Sequence, residues 1–151
     1  MSSRRRAREV ALAALYAVDV GGMAAGEALE GVWQTTLTSD TPTEPPTAEE
    51  HSFAAEVVTG VTNSLTVIDS QVEAASVNWR LARMPAVDRN ILRIGTWELT
   101  QRRDIPPSVS INEAIELAKL FGAAESRAFV NGILDRIATE LGRGGRRAKA
   151  G

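Results

Sequence analysis

Apolar positions recur at three- and four-residue intervals almost from end to end, and the alternation that marks half-buried strands is weak throughout. At about 100° per residue, Ala7, Ala11, Ala14, Leu15 and Val18 share one stripe of a first helix over 4–20, with Arg5, Glu9, Leu12 and Tyr16 along its flank. Gly21-Gly22 supplies its stop. A second periodic piece over 24–37 contains Leu29, Val32 and Trp33. Thr47-Ala48-Glu49-Glu50 has the spacing of a capping box and opens a third helix whose apolar face is Phe53, Val57, Val58 and Val61. A fourth spans 66–77, and Pro85 stands at the start of a fifth over 86–102. That fifth helix is apolar over a wide arc (Val87, Ile91, Leu92, Ile94, Trp97, Leu99), the mark of a helix surrounded by others. After Pro106-Pro107, Ser110-Ile111-Asn112-Glu113 reads as a second capping box, opening a helix that Gly122 ends. The last helix, over 125–141, buries Val130, Ile133, Leu134, Ile137 and Leu141, and its period overrides the turn signal of Asn131-Gly132. The fold class this predicts is all-α, with about seven helices.

Composition narrows the class. A chain of 151 residues with 44% hydrophobic and 24% charged residues reads as one globular domain over 1–151. The longest run free of charge, 57–68, contains Thr, Asn and Ser and is too short and polar to span a bilayer. The stretch 38–47, rich in Pro, Thr and Ser, is expected to be a mobile surface loop. Without cysteine there is no disulfide scaffold, Cys-ligated zinc or thiol catalysis, and a single histidine, His51, forbids a multi-His metal site. No cofactor or metal is expected, and the composition argues against an enzyme. Arg4-Arg5-Arg6 before an apolar run superficially resembles a signal peptide. The run is short and Ala-rich, abuts Arg8-Glu9 and is closed by Asp19, which fits an amphipathic helix of a cytoplasmic protein better.

The charges are segregated. Four of the 17 basic residues (Arg4, Arg5, Arg6, Arg8) lie in the first eight positions and four more in a basic tail over 143–151. All 19 acidic residues lie between Glu9 and Glu140. A dense arginine arm on an acidic body suits an anionic polymer, because guanidinium forks match phosphate oxygens. Positive charge at a helix start also opposes the helix dipole, so these arginines are not there for helix stability. Tyr16 reads as an interface anchor or a half-buried ring. Phe129, beside Glu125, Gly132 and Arg136 on projection, either closes the core or stacks on a base. Glu98 falls on the most apolar face of its helix and needs a partner, expected to be an Arg from another segment or a cap. Glu113 and Glu116 read as a solvated face.

Several blocks together resemble one family. Arg4-Arg5-Arg6-Ala7-Arg8-Glu9 with Ala14-Leu15-Tyr16, Val87-Asp88-Arg89 with Ile91-Leu92-Arg93-Ile94 and Trp97-Glu98-Leu99, and Ile111-Asn112-Glu113-Ala114-Ile115-Glu116-Leu117-Ala118-Lys119 are similar in order and spacing to the NusB family of bacterial transcription antitermination factors. So are Phe121-Gly122 and Phe129-Val130-Asn131-Gly132-Ile133-Leu134-Asp135. The resemblance implies two three-helix bundles in one compact domain and no catalysis. It implies binding of boxA, a single-stranded element of ribosomal RNA transcripts, together with NusE, a ribosomal small-subunit protein, within the RNA polymerase antitermination complex. Carried over by position, RNA would meet Arg4, Arg5, Arg6, Arg8, Glu125 and Phe129, and NusE would meet Tyr16 and Asp88. Where the family has a basic residue before the aromatic, this chain has Ala128, with Arg127 one position earlier. Two other readings are an RNA-binding module related to those of ribosomal RNA methyltransferases and a homodimeric helical scaffold. The first lacks a glycine-rich cofactor loop, and the second would bind no RNA.

Overall fold

The computed structural model describes residues 2–38, 44–77 and 79–143. Seven α-helices run through them: α1 Ser2–Gly21, α2 Ala25–Thr38, α3 Ala48–Asn63, α4 Leu65–Ala75, α5 Ala86–Gln101, α6 Pro107–Phe121 and α7 Ser126–Glu140. A single 3-10 turn, Leu81–Arg83, separates α4 from α5. There is no strand among the described residues. The chain divides into two compact units, Met1–Asn63 and Ser64–Gly151.

In the first unit α1 packs against both α2 and α3. Its buried side is broader than one stripe: Val10 and Leu12 are enclosed along with Ala7, Ala11, Ala14 and Leu15. Alanines on that face let the neighbouring backbones come close, and Phe53, Val57, Val58 and Val61 of α3 supply the bulk. Gly22 adopts φ +70°, the left-handed stop that Gly accepts most readily. The predicted capping box at α3 forms in both directions. The Glu50 amide donates to Thr47 Oγ1 at 3.1 Å, and the Thr47 amide donates to Glu50 Oε1 at 2.8 Å.

The second unit is arranged around α5, which packs against α4, α6 and α7, with α4 also against α7. Every residue from Asn90 to Leu99 is buried. At Gly95 an added Cβ would stand 2.6 Å from Leu134 Cδ1, so the absent side chain sets how closely α5 and α7 approach. Arg93, on the same helix, forks onto Asp69 of α4 at 2.8 and 3.0 Å.

The expected capping box at Ser110 does not form as one. The helix begins four residues earlier, with Pro106 as N-cap and Pro107 in its first turn. Proline is favoured there because its φ is already helical and its missing N–H has no partner to lose. Ser110 lies inside the helix and donates its hydroxyl to Glu98 Oε1 at 2.9 Å. Glu98, only 1% exposed, thus accepts a hydroxyl from α6. Arg143, read as the start of a basic tail, is structural. Its guanidinium donates to the carbonyls of Leu99 (2.8 Å), Arg103 (3.1 Å) and Ile105 (3.0 Å), ending α7 against the α5–α6 connection. The rest of that tail, 144–151, and 39–43 of the proline-rich stretch lie outside the described residues.

Candidate nucleic-acid interface

Within the first unit, α1 distributes the four expected arginines to different surroundings. Arg8 is 3% exposed, and its guanidinium lies 5.2 Å from the centre of the Phe53 ring. Arg4 approaches the same ring at 4.9 Å and is half-buried. Stacking of this kind exploits the negative face of the aromatic ring. Arg6 forks onto Glu50, with Nε at 2.9 Å from Oε2 and Nη2 at 2.7 Å from Oε1, and donates from Nη1 to the Glu44 carbonyl at 3.0 Å. This pairing, ahead of the Thr47 bonds, holds the Glu50 carboxyl below the usual carboxylate range and raises the Arg6 guanidinium. Arg5 is exposed and shares a cleft of about 450 Å³ with Arg6, Glu9, Glu44, Pro45, Thr47 and Glu50. The arm is therefore graded, from the exposed Arg5 to a buried Arg8 that is not presented to solvent as expected. Tyr16, 42% exposed, lies on the same helical flank as Arg5.

In the second unit, Asp88 sits in the first turn of α5 at 4% exposure. That burial corrects the expectation that its carboxylate meets a partner directly. Ser126 Oγ donates to Asp88 Oδ1 at 2.8 Å and accepts from the Ala123 amide at 2.9 Å. The carboxylate thus fixes the turn between α6 and α7. Burial pushes the Asp88 carboxyl above its ordinary value, the Ser126 bond works the other way, and Glu125 adds a like charge. Gly122 in that turn has extended backbone, and a Cβ there would stand 2.7 Å from Ser126 Cβ. Glu125, exposed, precedes α7, and Phe129 lies half-buried one turn into it.

Sequence reasoning passed over Trp79. Its indole meets Phe129 edge-on, with ring centres 6.3 Å apart and planes at 77°. The available signal was a tryptophan in the aperiodic stretch between α4 and Pro85, on no apolar stripe. Trp33 lies 4.3 Å from His51, so the single histidine is part of an aromatic contact in the first unit. No cluster of three or more metal-ligating side chains occurs among the described residues, and no described helix is long and apolar enough to cross a membrane.

Comparison with known proteins agrees with this architecture. The NusB family model matches residues 5–139. Transcription antitermination protein NusB of Sorangium cellulosum (strain So ce56) is 48% identical over 143 residues, covering 95% of this chain and 96% of that protein. The solved structure of T. maritima NusB superposes with a TM-score of 0.79 at 36% identity, covering 91% of each chain. A chain in a crystal structure of antitermination factors NusB and NusE in complex with dsRNA gives a TM-score of 0.80 at 26% identity, covering 93% of this chain and 98% of that one. These similarities define an all-helical protein of the transcription antitermination class. The chain belongs to the NusB family.

Proposed function

We propose that this chain is a non-catalytic antitermination factor that binds boxA single-stranded RNA of ribosomal operons together with NusE, in the cytoplasm where the transcripts are made. The observation that carries the reading is α1, which displays Arg5 and Tyr16 on one exposed flank while Arg4 and Arg6 stand half-buried beside them. The solved complex of antitermination factors NusB and NusE with dsRNA supports NusE and RNA as the kinds of partner; the single-stranded form is this proposal's own. Arg4, Arg5 and Arg6 supply phosphate contacts, Phe129 and Glu125 contribute at the start of α7, and Tyr16 faces NusE. Arg8 acts through Phe53 by holding the face of α1, and Asp88 acts through Ser126 by holding the start of α7.

The test is fluorescence anisotropy with boxA-like single-stranded RNA, a scrambled strand and a duplex, with and without NusE, over a range of salt. Preference for the boxA strand that tightens with NusE is expected. Converting Arg4 and Arg5 together to Ala is expected to flatten the log–log salt slope by about 1.4, the sum of two single-strand phosphate contacts. Equal binding of all three RNAs, unchanged by NusE, would overturn the proposal.

A further inference from the structure

Of the three tryptophans, Trp33 and Trp97 are buried, whereas Trp79 is 53% exposed. An indole left this open on a folded surface points to a contact made elsewhere. Its surroundings are concave and cationic. Trp79 and Arg80 both line two adjoining clefts, one of about 790 Å³ completed by Ala82 and Arg83 and one of about 640 Å³ completed by Glu73, Ser76 and Val77. Arg80 and Arg83 are exposed. Ser76, itself buried, has a hydroxyl with no hydrogen-bond partner among the described residues.

Hydrogen bonds tie together the elements around these residues. Glu73 Oε2 accepts from the Leu81 amide at 3.0 Å, which occupies the one carboxylate in the clefts. Arg89 Nη1 donates to the carbonyls of Leu81 and Met84 at 3.2 and 3.4 Å, stapling the 3-10 turn to α5. Arg136 of α7 donates to the Ala75 carbonyl at 2.6 Å, joining the helix that carries Phe129 to the end of α4 just before Trp79. An edge-on contact with Phe129 leaves indole surface for a flat ring.

We propose that Trp79, with Phe129 at its edge and Arg80 and Arg83 beside it, is a base-stacking platform for single-stranded RNA on the second unit. The inference rests on the RNA-binding reading above and extends it from Phe129 to Trp79, Arg80 and Arg83, which that reading does not use. An aromatic face takes an unstacked base of any identity, and flanking guanidiniums take the phosphates on either side of it. A duplex keeps its bases stacked and offers none.

Buried Trp33 and Trp97 make Trp79 the tryptophan that acrylamide quenches, so the full-length protein reports on the site directly. Titration with single-stranded RNA is expected to shield the quenchable emission, and a duplex is not. W79F serves as the blank for that signal and, keeping an aromatic face, is expected to bind within about threefold of wild type. W79A is expected to weaken single-strand binding roughly tenfold, the scale of losing one base–aromatic stack, with helicity by circular dichroism unchanged. Converting Arg80 and Arg83 to Ala is expected to lower the salt slope by about 1.4. Wild-type RNA binding that depends on Arg5 but leaves Trp79 quenchable and W79A at full affinity would overturn this inference alone. A wild-type protein that binds no RNA would overturn the RNA-binding reading and this inference with it. Loss confined to NusE binding in W79A would make the surface a protein contact and overturn it as well.

Discussion

Asp88 and Arg8 are two charges that the sequence offers to partners and the fold turns inward. Inside, the planar guanidinium of Arg8 lies over the Phe53 ring. Asp88 is placed less comfortably: burial raises its pKa, so the ionised form costs stability that the neutral form does not. A group whose folded pKa is raised contributes stability below its unfolded pKa and loses it as pH rises through the folded value. Replacing Asp88 with Asn keeps an oxygen for the Ser126 hydroxyl and removes the charge. At neutral pH, D88N is expected to melt about 2–4 °C higher than wild type, the shift that roughly 1 kcal/mol gives in a chain of this length. By pH 3 wild-type Asp88 is largely protonated and the two melting curves should converge. A D88N variant that melts lower at neutral pH would show that attraction to the α5 N-terminus outweighs burial. Glu50 runs the other way: its carboxyl is held low by Arg6, so its contribution is present at neutral pH and lost as the medium is acidified through the lowered value.

At the scale of elements, two segments with the same spacing take different roles. Thr47-Ala48-Glu49-Glu50 caps α3, while Ser110-Ile111-Asn112-Glu113 lies within α6. The difference comes from neighbours. Pro106-Pro107 had already started α6, and the buried Glu98 of α5 takes the Ser110 hydroxyl. Packing of α5 on α7 turns on Gly95, where an added Cβ would meet the fully buried Leu134 side chain at 2.6 Å and force it to shift. Gly95→Ala improves intrinsic helix propensity, yet it is expected to destabilise by about 1–3 kcal/mol through overpacking. Urea denaturation of the variant checks this, and a midpoint at or above wild type would refute the close approach. The predicted helix boundaries hold within two residues for α1, α2, α4, α5 and α7, because apolar periods and, at several ends, glycine or proline stops define them locally. The 3-10 turn before α5 had no such signal, since it is held by side chains of the two flanking helices, Glu73 and Arg89, and not by a period of its own.

For the whole molecule, the separation of charge matters more than its total. A formal net charge of −2 conceals an arginine-rich start and an excess of acidic residues between Glu9 and Glu140, so polyanions are expected to be drawn to local cationic surface such as the start of α1 despite the negative total. Tyr16 lies on that same helix, so protein and RNA contacts are expected to be separable by mutation. Tyr16→Ala is expected to weaken NusE binding at least tenfold, as loss of an exposed aromatic anchor does, while RNA binding by the isolated protein changes less than twofold. Titration calorimetry with NusE alongside RNA anisotropy measures both. Equal losses would mean that Tyr16 serves the two partners together.

The sequence by itself determined the all-α class, the order of the helices and the cationic first turn, because helical period, caps and stops act over a few residues and are written locally. The family blocks were legible for the same reason, being contiguous runs. Only tertiary structure decided which charged residues face outward. Arg4, Arg5, Arg6 and Arg8 are chemically alike in the sequence, and what separates them is whether Phe53 or Glu50, more than forty residues away, packs against them. Trp79 was likewise invisible as a surface feature until α7 brought Phe129 to its edge and left the rest of the indole uncovered.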